Sequence, residues 1–322
     1  MIKCLNLIES ESDFKRRITS EAVPYLSSSM ERGTFESFDG SAIAYRRYKN
    51  PAAVANILII HGFSEFMEKY NEMICVLLHN GFEVYATDLR GHGDSVRTAD
   101  DPSKVNVDDF DQYIDDIRYF YQLKLRKSKL PNYLLGHSMG GAVAILYAEK
   151  YPEDFSRIVF SSPMARMKVG KFPFFVVETV SFLAKIFGKG MKFAAGQGPF
   201  NPASRLAESS CKSEARYEYI MDMRRGDVKN QTWSGTYNWV LAACRASRRL
   251  MKKKNIARIT APAIVLGAGH DRLVDETYIR KFAESLPNGK YIFFPESRHE
   301  IYHGAPEERV RFYEEVINFL NP

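Results

Sequence analysis

Only four cysteines (Cys4, Cys75, Cys211, Cys244) occur in 322 residues, far apart and without a Cys-x-x-Cys pair. A disulfide-stapled scaffold or zinc ribbon is thereby excluded, and reduced thiols in a reducing compartment are expected. No run of 18 or more apolar residues is present, so no helical membrane span is expected. The few apolar residues before Glu9 fall short of a signal peptide, which predicts a cytoplasmic protein, free or peripheral on the inner membrane face. There is no internal repeat and no low-complexity tract. The net charge of +6 comes without a basic cluster attached to a nucleic-acid-reading module, so no nucleic-acid partner is expected. What the chain does have is 45% hydrophobic residues, enough for a large core.

Those residues are patterned. Thr34 to Tyr48 reads as a hairpin turning at Asp39-Gly40. Short apolar strands then alternate with amphipathic helices. Strands are predicted at Asn56–His61, Phe82–Thr87, Tyr133–Gly136, Arg157–Ser161, Ala263–Ala268 and Tyr291–Pro295. Helices are predicted from Tyr70 to Leu78, after Asn106, at Met139–Tyr151 and Glu276–Leu286, and from about Pro306. This is the signature of an α/β fold, a mostly parallel sheet with helices on both faces. Residues 1–33 read as an N-terminal arm, and 34–162 with 255–322 as the core.

Residues 163–254 interrupt the alternation and read as an inserted cap or lid. They carry 18 Lys and Arg against 6 Asp and Glu, so this insert is +12 and leaves the rest of the chain at −6. Within it, Phe172–Phe187 is largely apolar, with Glu178, Ser181 and Lys185 forming one narrow polar stripe at helical spacing. Two readings follow: a helix packed on the body, or a greasy entrance that accepts an acyl chain or touches a bilayer, flanked by Lys168, Lys171, Lys189 and Lys192. Trp233, Tyr237 and Trp239 are candidates for lining such a channel, with ordinary packing as the other reading. The charge should attract anionic headgroups or an anionic membrane surface, and it argues against holding a substrate's amino terminus, which needs acidic groups. The three lysines at 252–254 read as solvated surface.

Gly136-His137-Ser138-Met139-Gly140 is a G-x-S-x-G between a strand and a helix. The sharp turn brings backbones together, so the residues two before and two after Ser138 must be small, and the hydroxyl stands exposed at a helix N-terminus. A serine needs a base, and the base a partner; here the order is serine, acid, histidine. Downstream lie His270, His299 and His303, of which His299 follows the last strand, where the base is delivered. Asp271, on the loop leaving the Ala263–Ala268 strand, is the expected acid; Asp275 is the rival, with an N-cap role open to it. The oxyanion donors are expected to be the N–H groups of Met139 and, from His61-Gly62-Phe63-Ser64, of Phe63, with His61 a loop brace. No metal or organic cofactor is called for. His299 to His303 also spells H-E-x-x-H, a zinc-peptidase signature that requires both histidines on one helical face. The strand before it and Gly304 and Pro306 after it weigh against that helix.

HGFSE (61–65), DLRGHGDS (88–95), LLGHSMGG (134–141), GHDRLVD (269–275) and SRHE (297–300) together resemble the monoacylglycerol lipase and lysophospholipase branch of the α/β hydrolases. VNVDDFDQYIDDI (105–117), AAGQGPFNP (194–202) and GTYNWVLAACRAS (235–247) look most like bacterial lysophospholipases. The resemblance spans roughly residues 35–320. It implies the α/β-hydrolase fold with an inserted helical cap, a triad of Ser138, Asp271 and His299, and oxyanion donors Phe63 and Met139. It further implies a lipid-like ester substrate, a lysophospholipid or monoacylglycerol, cleaved through an acyl-enzyme. Acyl transfer to an alcohol, hydrolysis of other small esters and a non-enzymatic ligand-binding role on the same scaffold are the alternatives.

Overall fold

The computed structural model describes residues 3–170 and 172–321; Lys171, one of the lysines flanking the apolar stretch, lies outside them. Ten strands are present among the described residues: β1 (Met30–Glu36), β2 (Ala42–Tyr48), β3 (Ala55–Ile60), β4 (Phe82–Thr87), β5 (Lys104–Val105), β6 (Asn132–His137), β7 (Arg157–Ser161), β8 (Ser234–Gly235), β9 (Ala263–Ala268) and β10 (Gly289–Phe294). Eight form one sheet in the order β1-β2-β4-β3-β6-β7-β9-β10. β2 runs antiparallel to both β1 and β4, and the other pairs are parallel. The mostly parallel sheet expected from the alternation is observed, in the α/β-hydrolase arrangement that the resemblance implies. The first hairpin differs in extent, because β1 starts at Met30 rather than Thr34. Polar Glu31 and Arg32 on this edge strand hid it from a search for apolar alternation.

The apolar strands owe their lack of alternation to burial on both sides. β3, β4 and β9 are buried along their whole length. Leu58 and Ile60 point into the core beneath the Asp111–Phe120, Met139–Lys150 and Glu276–Ser285 helices. Ile57 and Ile59 point the other way, under Asn71–His79 and Pro306–Leu320. That is the period of two expected of a strand, with apolar partners on both faces. Residues 5–29 form short helices whose Ile8, Phe14, Ile18 and Leu26 are buried on the second face.

Between β7 and β9 the chain leaves the large sheet and forms the helices Phe174–Ile186, Glu214–Gly226 and Tyr237–Leu250. Its cations are spent in part on the acidic body. Arg216 Nε lies 2.8 Å from Glu72, Arg249 is 2.8 Å from Asp111, Lys185 2.6 Å from Asp108 and Lys229 3.1 Å from Asp94. The Phe174–Ile186 helix ties its polar stripe to neighbouring elements. Ser181 is buried, Glu178 pairs with Arg248 and Lys185 with Asp108, while Phe175, Phe182 and Ile186 stand exposed. No helix among the described residues is long and apolar enough to cross a membrane.

Where β6 turns into the following helix, backbones touch. A Cβ on Gly140 would lie 2.2 Å from the Ile60 oxygen and 2.4 Å from that of His61. Gly140→Ala is therefore expected to cost about 3 kcal/mol or more in urea unfolding, since neither backbone can give way. Gly198→Ala, where a Cβ meets nothing within 4 Å, should show no loss.

Candidate active site

Parallel strands end together, and the candidate residues stand at the carboxyl end of the sheet. Ser138 follows β6, Asp271 lies beyond β9, and His299 lies beyond β10. Ser138 holds φ 54° and ψ −119°, a left-handed conformation that costs a serine about 1–3 kcal/mol. Bonds on both sides hold it there. Its N–H donates to the Ser161 oxygen at 3.0 Å, and its oxygen accepts from Met164 at 2.9 Å and Ala142 at 3.1 Å. Among the described residues Ser138 Oγ forms no hydrogen bond, and the residue is 8% exposed.

Asp271 and His299 meet directly: His299 Nδ1 is 2.6 Å from Asp271 Oδ2. The other carboxylate oxygen accepts the N–H groups of Leu273 at 2.8 Å and Val274 at 3.0 Å. Burial opposes ionisation of Asp271, yet the imidazole and these donors bring its pKa below the ordinary value. Burial likewise opposes charge on His299, but the Asp271 carboxylate outweighs it and raises the imidazole. An ionised carboxylate only accepts, so Nδ1 carries the proton and Nε2 keeps its lone pair. Among the described residues Nε2 is buried without a partner. The rival aspartate does something else: Asp275 caps the Glu276–Ser285 helix by accepting from Thr277 N–H. His270 is exposed, 3.8 Å from Glu296.

The loop after β3 lies against Ser138, since a Cβ on Gly62 would come within 3.1 Å of the serine Cβ. Gly62 N–H donates to Glu65 Oε2 at 2.6 Å and Ser64 N–H to His92 Nε2 at 3.2 Å. The Phe63 N–H between them meets no acceptor among the described residues. Met139 opens the next helix, so its N–H has no partner inside it. His61 braces this loop: Nε2 accepts the Leu89 N–H at 2.9 Å and Nδ1 lies 2.8 Å from the Gly62 oxygen. Trp239 packs its ring 4.2 Å from that of Phe63, while Trp233 stands against Phe200.

His299 and His303 do not form the helical face that zinc ligation by H-E-x-x-H requires. Only Ile301–His303 is helical, in a single 3-10 turn, and the two rings serve different carboxylates, Asp271 and Glu300. Cys211, Glu300 and His303 do approach within 4.8 Å of one another, but Lys69 occupies Glu300 at 2.8 Å. Lys69 and Arg224 gave no signal in the sequence and Glu300 entered it only within H-E-x-x-H, because the contacts Lys69–Glu300 and Arg224–Ser64 join residues far apart in the chain. Two clefts, of about 450 and 640 Å³, share Arg166, Phe174 and Tyr278 beside the exposed helix, and neither is lined by Ser138.

Asp271→Asn should lower kcat about 10⁴-fold and remove the field that raises His299. With His299 as the base, kcat/KM of the unaltered protein should fall as pH drops through a pKa raised above the ordinary imidazole value, because a base must be neutral to take a proton. Asp275→Asn should leave kcat within about twofold, an N-cap exchange costing only tenths of a kcal/mol. Steady-state kinetics across pH separate the two aspartates.

A family model described as serine aminopeptidase, S33 (Hydrolase_4), matches residues 51–305. The chain is 28% identical over 282 residues to a probable lysophospholipase L2 of Haemophilus influenzae, covering 87% of this chain and 88% of that protein. It is 24% identical over 302 residues to lysophospholipase L2 of Escherichia coli K12, covering 90% and 87%. In structure it resembles a soluble variant of monoglyceride lipase from Saccharomyces cerevisiae solved with a substrate analog, at TM-score 0.71 and 19% identity, over 90% and 94% of the two chains. The chain belongs to the serine aminopeptidase S33 family, a hydrolase of the α/β superfamily in the branch that includes lysophospholipases and monoglyceride lipases.

Proposed function

We propose that this protein is a serine carboxylic-ester hydrolase that releases fatty acid from lysophospholipids or monoacylglycerols. The observation that carries the reading is the His299–Asp271 pair, whose unpartnered Nε2 lies at the same carboxyl end of the sheet as a free Ser138 hydroxyl. His299 takes the Ser138 proton as Oγ attacks the ester carbonyl. The developing oxyanion receives the N–H groups of Phe63 and Met139, each donor contributing about 2.7–4 kcal/mol to barrier lowering. Collapse expels the glycerol-type alcohol, which takes the proton from His299. Water activated by the same imidazole then hydrolyses the acyl-enzyme. The substrate class rests on the names of the relatives and on the apolar surface of the insert. The family is named for an aminopeptidase, but an insert with 18 basic and 6 acidic residues is a poor holder for a free amino terminus.

The Phe174–Ile186 helix supports a second element of the proposal, docking on an anionic lipid surface. Phe172, Phe175, Ile186 and Phe187 are 59–71% exposed along it, and exposed Lys189 and Lys192 follow. Apolar side chains entering the headgroup region beside lysines are the composition of an interfacial helix. Ion pairing with the body takes up part of the positive excess, so apolar insertion should outweigh general attraction.

A fluorophosphonate probe should label the native protein and leave Ser138→Ala unlabelled, with labelling insensitive to chelator. Well-folded native protein that does not label would sink the proposal. Phe175→Ser with Ile186→Ser should cut sedimentation with phosphatidylglycerol-containing vesicles at least about tenfold. The same pair should leave hydrolysis of a soluble butyrate ester unchanged; unaltered sedimentation would remove the docking claim.

A further inference from the structure

Close to the Ser138 turn runs a buried ionic chain that the proton transfers above do not use. Lys69 Nζ lies 2.5 Å from Glu65 Oε1 and 2.8 Å from Glu300 Oε1, its side chain 4% exposed. Glu65 uses its other oxygen to accept the Gly62 N–H and the Tyr70 hydroxyl, both at 2.6 Å. Glu300 directly follows His299 and accepts from His303 Nδ1 at 2.8 Å with its second oxygen. One ammonium therefore joins the loop that presents the Phe63 N–H to the loop that presents His299. Taking three charged groups out of water costs several kcal/mol each unless they compensate one another, so removing the central one leaves two bare carboxylates beside the imidazole.

We propose that Lys69 is a positioning residue: it fixes the Gly62-Phe63 backbone through Glu65 and shields His299 from Glu65 and Glu300. The imidazole then responds chiefly to Asp271. This rests on the reading of His299 as the base.

The groups facing the cluster are few. His137, with Nε2 3.7 Å from Glu65 and its ring 4.9 Å from that of His299, is driven by burial to about 4 and is neutral near pH 7. Burial also lowers His303, and it raises Tyr70, Tyr302 and Cys211, keeping all four uncharged. Arg224, lowered by burial to about 10, stays charged, but its guanidinium donates to the oxygens of Ser64, Asn230 and Thr232. On the far side Lys168 Nζ donates to the Asp271 backbone oxygen. Burial holds Glu65 and Glu300 back from ionising, yet Lys69 brings both below the usual carboxylate range. Lys69 is thus the only cation bonded to either carboxylate among the described residues.

Opposite shifts in two variants test this. The His299 titration is followed by NMR in a Ser138→Ala background, which needs no activity, and kcat/KM is followed against pH with the serine intact. Lys69→Met should raise the His299 pKa and the acid limb by about one unit, and Glu300→Gln should lower both. In Lys69→Met kcat should drop at least about tenfold with KM within about threefold, as expected when transition-state donors lose their aim. Lys69→Arg should restore the titration. Should Lys69→Met fail to fold, Glu300→Gln and Lys69→Arg still decide. The proposal is overturned if kcat falls with the His299 titration unmoved, or if the two variants shift it the same way. NMR shifts of opposite sign in a protein that hydrolyses no ester would uphold the coupling while refuting the proposed function.

Discussion

A serine in a left-handed backbone conformation persists only where its surroundings overdetermine it, and the site is built around that constraint at Ser138. β6 must end at the carboxyl end of the sheet, and a helix must start just after Ser138. Close packing follows, because Gly140 presses against the backbone of β3 and the loop beyond it, while Gly136 sits 2.7 Å, counted from a would-be Cβ, from the Gly140 oxygen. The same contact brings Gly62 against Ser138, and with it the Phe63 N–H. One strained turn thus sets the Ser138 hydroxyl, the helix N-terminus and the Gly62-Phe63 loop relative to each other. The strain of about 1–3 kcal/mol is small against the core on both sheet faces.

Electrostatics does the rest of the positioning. The body of the chain is acidic and the insert basic, and ion pairs such as Arg216–Glu72 and Arg249–Asp111 fasten one to the other. The insert also reaches into the site directly, since Arg224 donates to the Ser64 oxygen, one residue from Phe63. The most apolar helix of the insert is pinned by its polar stripe and shows its apolar side to the outside. An amphipathic helix usually buries its apolar side, so the exposed phenylalanines of this one are the observation on which the proposed lipid docking rests.

Much of this was legible in the residues. β4, β7 and β9 span the residues predicted for them, because strands buried on both faces are apolar but for Glu83 and the end residues Thr87, Arg157 and Ser161. Asp275 was separable from Asp271 by its place just before a helix. What stayed hidden depends on three dimensions. Periodicity marks the stripe Glu178, Ser181, Lys185 but cannot say which side faces in; the partners Arg248 and Asp108 decide that. H-E-x-x-H looks like a metal motif until the backbone puts His299 on Asp271 and His303 on Glu300. Lys69 gave no signal, since a lysine at helical spacing from Glu65 looks like ordinary solvated surface.

The central claim is that Ser138 Oγ carries the acyl group between two steps. The direct measurement is to mix the protein with a long-chain monoacylglycerol or lysophospholipid, quench in acid within milliseconds to seconds, digest, and weigh the peptide containing Ser138 by mass spectrometry. The account predicts a transient mass increase equal to the acyl group on Ser138, formed before steady-state release of fatty acid. Turnover with no adduct on Ser138 at any time, or an adduct on another residue, would contradict it.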